Sequence, residues 1–155
     1  MPTVLSRCVL VKLHPLPEQL VREKLAELGI AAGLQASCAA FARGNPGRAQ
    51  ALAQSAEFAE MRTLALDVAD RAGQLEITDI FGLYGRFEKW KDTVQDLLDM
   101  IYICLRDKLV QSLADASRLK PLLDGLDAVA ETKLILRRNG NFQLAVENML
   151  MKLCL

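Results

Sequence analysis

RFEKWKDTVQDLLDMIYICLRDKLVQSL, residues 86–113, is the stretch whose reading decides the fold. Trp90, Val94, Leu97, Leu98, Ile101, Leu105 and Leu109 recur every three or four positions, the spacing that lines up one face of an α-helix. The stretch therefore predicts one long helix from about 86 to 113. Tyr84 to Lys91 mixes aromatics with cations, a combination that in other settings stacks on single-stranded nucleic acid. Here Phe87, Trp90 and Val94 share the apolar face, so the pattern favours core packing.

Outward from this helix the same periodicity continues. Residues 119–138 predict a second long helix, with Leu122, Leu123, Leu126, Val129, Ala130 and Leu134 expected to face inward. A last helix is expected from Asn141 to the end, through Leu144, Ala145, Asn148, Met149 and Met151. Its final residues, 149–155, are apolar on more than one face, which suits either a bundle centre or contact with another subunit. Upstream, a shorter segment covers 75–84, and a helix through Arg71 begins around Gln54-Ser55. Together these make an all-helical module of about five helices.

Arg43-Gly44-Asn45-Pro46-Gly47 is the strongest turn signal in the chain. It separates a helix over about 31–42 from one starting near Gly47-Arg48. Before them, Pro17-Glu18 opens a helix to Leu28, stopped by Gly29, with Leu20, Val21, Lys24, Leu25 and Leu28 on one face. Cys8-Val9-Leu10-Val11-Lys12-Leu13 is the one convincing strand, closed by His14-Pro15-Leu16-Pro17. A strand needs a partner for its backbone groups, so the rest of its sheet is expected upstream in a longer protein. The expected fold class is all-α: a three-helix unit, then a helical bundle, with one residual N-terminal strand.

Composition narrows the function. Of 155 residues, 19 are Lys or Arg and 19 are Asp or Glu, so no net field favours nucleic acid or an anionic membrane. The four cysteines, Cys8, Cys38, Cys104 and Cys154, are far apart and lack the paired spacing of a zinc or redox site. They fit a reducing cytoplasm as small core residues. No apolar run reaches the roughly 18 residues that span a bilayer, and Met1-Pro2-Thr3-Val4 does not open like a signal peptide, so a cytoplasmic location is expected. His14 is the sole histidine, which leaves no His-based triad. Glu57, Glu60, Asp67 and Asp70 alternate with Arg62 and Arg71 as on a solvated helix face. In Leu105-Arg106-Asp107 no pairing between Arg106 and Asp107 is expected, because neighbours on a helix point apart.

Three motifs carry a resemblance. Leu5-Ser6-Arg7-Cys8, followed by a strand and an acidic helix, resembles the SRC motif of AAA+ clamp-loader subunits. Gly44-Asn45-Pro46-Gly47-Arg48-Ala49 resembles the turn of that family's lid domain. Residues 137–153, from Arg137-Arg138-Asn139-Gly140-Asn141 through Glu147-Asn148-Met149, are similar to the closing segment of bacterial DNA polymerase III delta-prime subunits. Leu105-Arg106-Asp107 is similar to part of the same family's collar.

The resemblance implies residues 1–12 as the end of an AAA+ domain, 13–53 as its lid and 54–155 as a C-terminal collar. It implies a subunit of the clamp loader, whose collar joins tau/gamma and delta subunits while the complex places a sliding clamp on primed DNA. Arg7 aligns with the arginine that reaches into a neighbour's ATP site, where a permanently charged planar guanidinium stabilises charge during phosphoryl transfer. Arg48 takes a sensor-2-like position, with a solvent-exposed turn arginine as the plainer alternative. Asn141, Phe142, Leu144, Glu147, Asn148 and Met151 are the expected subunit-interface residues. The Walker motifs and zinc cysteines of the family are missing from this chain, so no intrinsic activity, no metal and no cofactor of its own are expected; ATP belongs to the neighbouring subunits. A tau/gamma collar fragment and an unrelated helical interaction domain remain as alternatives.

Overall fold

The computed structural model describes residues 14–113 and 116–154. Arg7, the strand expected over 8–13 and the SRC motif lie outside the described residues. Within them every regular element is a helix, and the chain divides into two compact units that meet in sequence between Gln54 and Ser55.

The first unit holds α1 (Glu18–Glu27), α2 (Ala32–Ala42) and α3 (Pro46–Gln54), each packed on the other two. Val21 and Leu25 of α1 are buried with Cys38, Phe41 and Ala49, whereas Leu20 and Leu28 stay exposed. The apolar face of α1 is thus narrower than its leucines suggest. Gly29, at φ 75°, ends α1: the Gly29 N–H bonds Ala26 O at 2.9 Å and the Ile30 N–H bonds Leu25 O at 3.1 Å. This pair of bonds satisfies carbonyls that the last turn leaves over.

The turn into α3 is equally local in origin. Arg43 and Gly44 are left-handed, at φ 51° and 81°. Asn45 Oδ1 then accepts from the Arg48 N–H at 3.0 Å, and Pro46 opens the helix where its missing N–H costs nothing. Gly44 O accepts from the Leu16 N–H at 2.9 Å. A Cβ on Gly44 would stand 2.6 Å from Leu16 O, so both the conformation and the close approach require glycine.

The second unit holds α4 (Ala56–Asp70), α5 (Ile77–Glu88), α6 (Val94–Gln111), α7 (Ala116–Arg137) and α8 (Phe142–Lys152). Helix α6 is central, packed on α4 and α7; α8 lies against α7 and α5. Leu97, Leu98, Met100, Ile101 and Leu105 of α6 are fully buried, together with Val68, Phe87, Met149 and Leu150 from its neighbours. At about 1.5–3 kcal/mol for each large apolar side chain removed from water, this core is the main term holding the unit together. Ser55 caps α4 by accepting from the Phe58 N–H at 3.1 Å, and Asp79 accepts from the Glu76 N–H at 3.0 Å to open α5.

The helix expected over 86–113 is two helices. Residues 89–93 form tight turns, with the Trp90 N–H on Phe87 O at 2.9 Å and the Thr93 N–H on Trp90 O at 3.1 Å. The break lets Phe87, Trp90 and Val94 all enter the core, at 0%, 3% and 8% exposure, and places the polar Lys91-Asp92-Thr93 outside. The core reading of these aromatics stands, although they share no single rod.

Two other expectations are corrected. Leu122 and Val129 of α7 do face inward, but Leu123 and Leu134 are 50% and 54% exposed and Ala130 also points out. The inner side is narrow because Gly125 lies against α6 and α8: a Cβ there would meet Leu153 Cδ2 at 2.7 Å and Leu105 Cδ1 at 3.5 Å. Arg106 does pair with Asp107, Nη2 to Oδ1 at 2.7 Å. Its stem is long enough to curl back over one residue, and in that exposed setting the pair adds little stability.

Candidate assembly surface

The expected interface residues lie on α8 and the turn that leads to it. Asn139 is left-handed at φ 57°; its N–H bonds Leu136 O at 3.1 Å, and the Gly140 N–H bonds Ile135 O at 2.9 Å. A Cβ on Gly140 would be 2.4 Å from Ile135 Cγ2. Asn141 Oδ1 then accepts from the Leu144 N–H at 3.0 Å. Asn139-Gly140-Asn141 therefore closes α7 and starts α8 within three residues, and the Asn141 side chain is engaged in its own helix.

Phe142 points back into the bundle. Its ring centroid is 6.2 Å from that of Tyr84, and Lys91 Nζ sits 5.9 Å from it. At the other end of the helix, the Gly73 N–H donates to Leu153 O at 2.8 Å. These two contacts run α8 antiparallel to α5. Glu147 accepts from Gln143 Nε2 at 2.8 Å. The Tyr84 phenol is pushed up by burial first and then by the charges of Glu88 and Glu147.

Leu144, Asn148 and Met151 remain. At spacings of four and three they share the side opposite buried Ala145, Val146, Met149 and Leu150. Leu144 is 66% exposed and Met151 47%, with half-buried Asn148 between them. Of the six expected interface residues, these three form one outward face; Asn141, Phe142 and Glu147 are occupied within the unit. On α5, Ile77 and Phe81 are also largely exposed, four residues apart, an apolar pair that nothing in the sequence singled out.

Arg48 stands exposed at the head of α3, its guanidinium 5.9 Å from the Phe41 ring centroid and its N–H held by Asn45. Among the described residues no three His, Cys, Asp or Glu side chains gather as a metal site would need. Cys38 and Cys104 are buried and in no disulfide; burial pushes the Cys104 thiol up to about 11, so Cys104 is a packing group rather than a nucleophile. A hollow of about 410 Å³ between the ends of α4, α6 and α7 is lined by Asp70, Lys108 and Arg118, but Lys108 is already paired with Asp70. No described helix is long and apolar enough to cross a membrane.

Comparison with protein-family models, with curated proteins and with solved structures returns no match.

Proposed function

We propose that this chain is part of a clamp-loader subunit of the delta-prime type, acting in DNA replication by joining neighbouring subunits through its second helical unit. The observation that carries the reading is the outward Leu144–Asn148–Met151 face of α8, which lies within the stretch whose residues most resemble the closing segment of that family. An exposed leucine and methionine at seven-residue spacing are suited to a helix-on-helix contact. In this reading tau/gamma and delta are the partners, ATP is bound by the neighbours, and Arg7 reaches a neighbour's nucleotide. The clamp and primed DNA are met through the complex. Arg48 has its N–H on Asn45 and its guanidinium against Phe41, so no phosphate-binding step is assigned to it.

The test is light scattering after size exclusion on the chain mixed with a tau/gamma collar region. The expected result is a stoichiometric hetero-complex that Leu144→Glu with Met151→Glu abolishes while the helical circular dichroism is kept. No complex between two folded partners, or one indifferent to the double variant, sinks the reading. In that case the exposed Ile77 and Phe81 of α5 favour an unrelated helical interaction domain instead.

A further inference from the structure

Helix α7 carries apolar groups on two sides. Toward the core it presents Leu122, Gly125, Ala128, Val129 and Thr132, all buried, with Thr132 Oγ1 donating to Ala128 O at 2.8 Å. Leu122 is the one leucine of α7 that is buried among the described residues. Leu119, Leu123, Leu126 and Ala130 follow one another at steps of four, three and four, the period of a two-helix seam. Leu123 and Ala130 are exposed, and Leu119 and Leu126 are half-buried along the edge.

The surface beside this seam is apolar too. Lys133 pairs with Asp99, both side chains largely sheltered, and so brings one side of α6 next to the seam. Tyr102 and Val110 follow Asp99 on that side of α6 by helical spacing, with the exposed Arg106 between them, and both are exposed; Leu113, two residues past the end of α6, is exposed as well.

The geometry points to a second copy of this chain as the occupant, its α7 packed antiparallel on the first. The argument is charge. Lys120 and Asp127 lie seven residues apart on the same edge of the seam, and both are exposed with no ion pair among the described residues. When Leu123 is set opposite the Leu126 of an antiparallel copy, Lys120 of each chain falls beside Asp127 of the other. Two symmetric pairs result, as an isologous twofold contact requires. A stable interface buries about 800 Å² per partner. The seam supplies its centre, and Tyr102, Val110 and Leu113 extend the apolar area alongside it. This face is not the α8 face of the collar reading, and the inference does not rest on that reading.

Sedimentation equilibrium of the full chain, from about 1 to 100 μM, tests it; contacts of this size bind at micromolar affinity or tighter, so a dimer shows within this range. The expected result is a reversible dimer that Leu123→Glu converts to monomer without loss of helical signal. Lys120→Asp or Asp127→Lys alone should weaken the dimer about tenfold, through two like-charge contacts, and the two combined should restore it. Leu144→Glu with Met151→Glu should leave it intact, which separates this inference from the proposed function. A chain monomeric throughout, a dimer indifferent to Leu123→Glu, or a double reversal as weak as the single ones would overturn the proposal. The charge variants lie on the surface and keep the test decisive should Leu123→Glu fail to fold.

Discussion

Gly44 and Gly85 show how differently two glycines serve one chain. Gly44 is left-handed and pressed against Leu16 O and Pro15 Cβ, so Gly44→Ala is expected to cost about 1–3 kcal/mol in urea unfolding of the first unit. Gly85 is an ordinary helical residue of α5 with open space where a Cβ would go, and Gly85→Ala is expected to raise stability by up to about 1 kcal/mol. Opposite signs from the same substitution would show that the first glycine answers a steric demand and the second does not. Asp79 makes a prediction in pH. Its carboxyl is held below the ordinary value of 3.8 by the Arg71 guanidinium, Nη2 to Oδ2 at 2.5 Å, and by the Glu76 N–H. A depressed folded-state value means that the stabilisation is present above the unfolded carboxylate range and is lost as pH falls below about 4. Asp79→Asn should be less stable than wild type at pH 7 and lose less on acidification, as read from thermal midpoints across pH 2 to 7.

Among the elements, α8 depends on its first residue. Asn141→Ala removes the acceptor for the Leu144 N–H and should lower stability by about 1 kcal/mol, while Asn141→Asp should nearly preserve it. The stop and start at Asn139-Gly140-Asn141 was legible because its chemistry is local: a left-handed residue, a glycine and a cap. So was the Gly44 turn. The break at 89–93 was hidden, since a helix-period pattern continues through Trp90 whether the chain runs straight or turns. The orientation of α7 was hidden for another reason. Leucines on two sides leave periodicity without a preferred face, and the choice was made by Leu153 and Leu105 filling the space above Gly125, residues far from it in sequence. The face of α8 was half legible. Leu144 and Met151, two of the expected interface residues, are exposed, whereas Phe142, another of them, turns inward to meet Tyr84, a contact that the antiparallel packing of α5 and α8 creates.

At the scale of the molecule, each unit has its own core: Val21, Leu25, Cys38 and Phe41 in the first, and the α6-centred cluster in the second. Residues 55–155 alone are therefore expected to keep their helical content and to melt in one cooperative transition; a fragment that is unstructured in far-ultraviolet circular dichroism would show that the second core is insufficient. Around that core, ion pairs tie the helices together: Lys89 to Glu60 at 2.5 Å, then Arg86 with Asp67, Lys108 with Asp70 and Lys152 with Glu131. All are exposed or half-exposed, so they steer register more than they stabilise. The burial of Trp90 also has an experimental use. It is the chain's 1 tryptophan, and the 2 tyrosines, Tyr84 and Tyr102, belong to the same unit. Emission excited near 280 nm consequently follows the second unit alone and is blind to the first, while a peptide-bond signal sees both. Subtracting one unfolding curve from the other isolates the dark unit without adding a label.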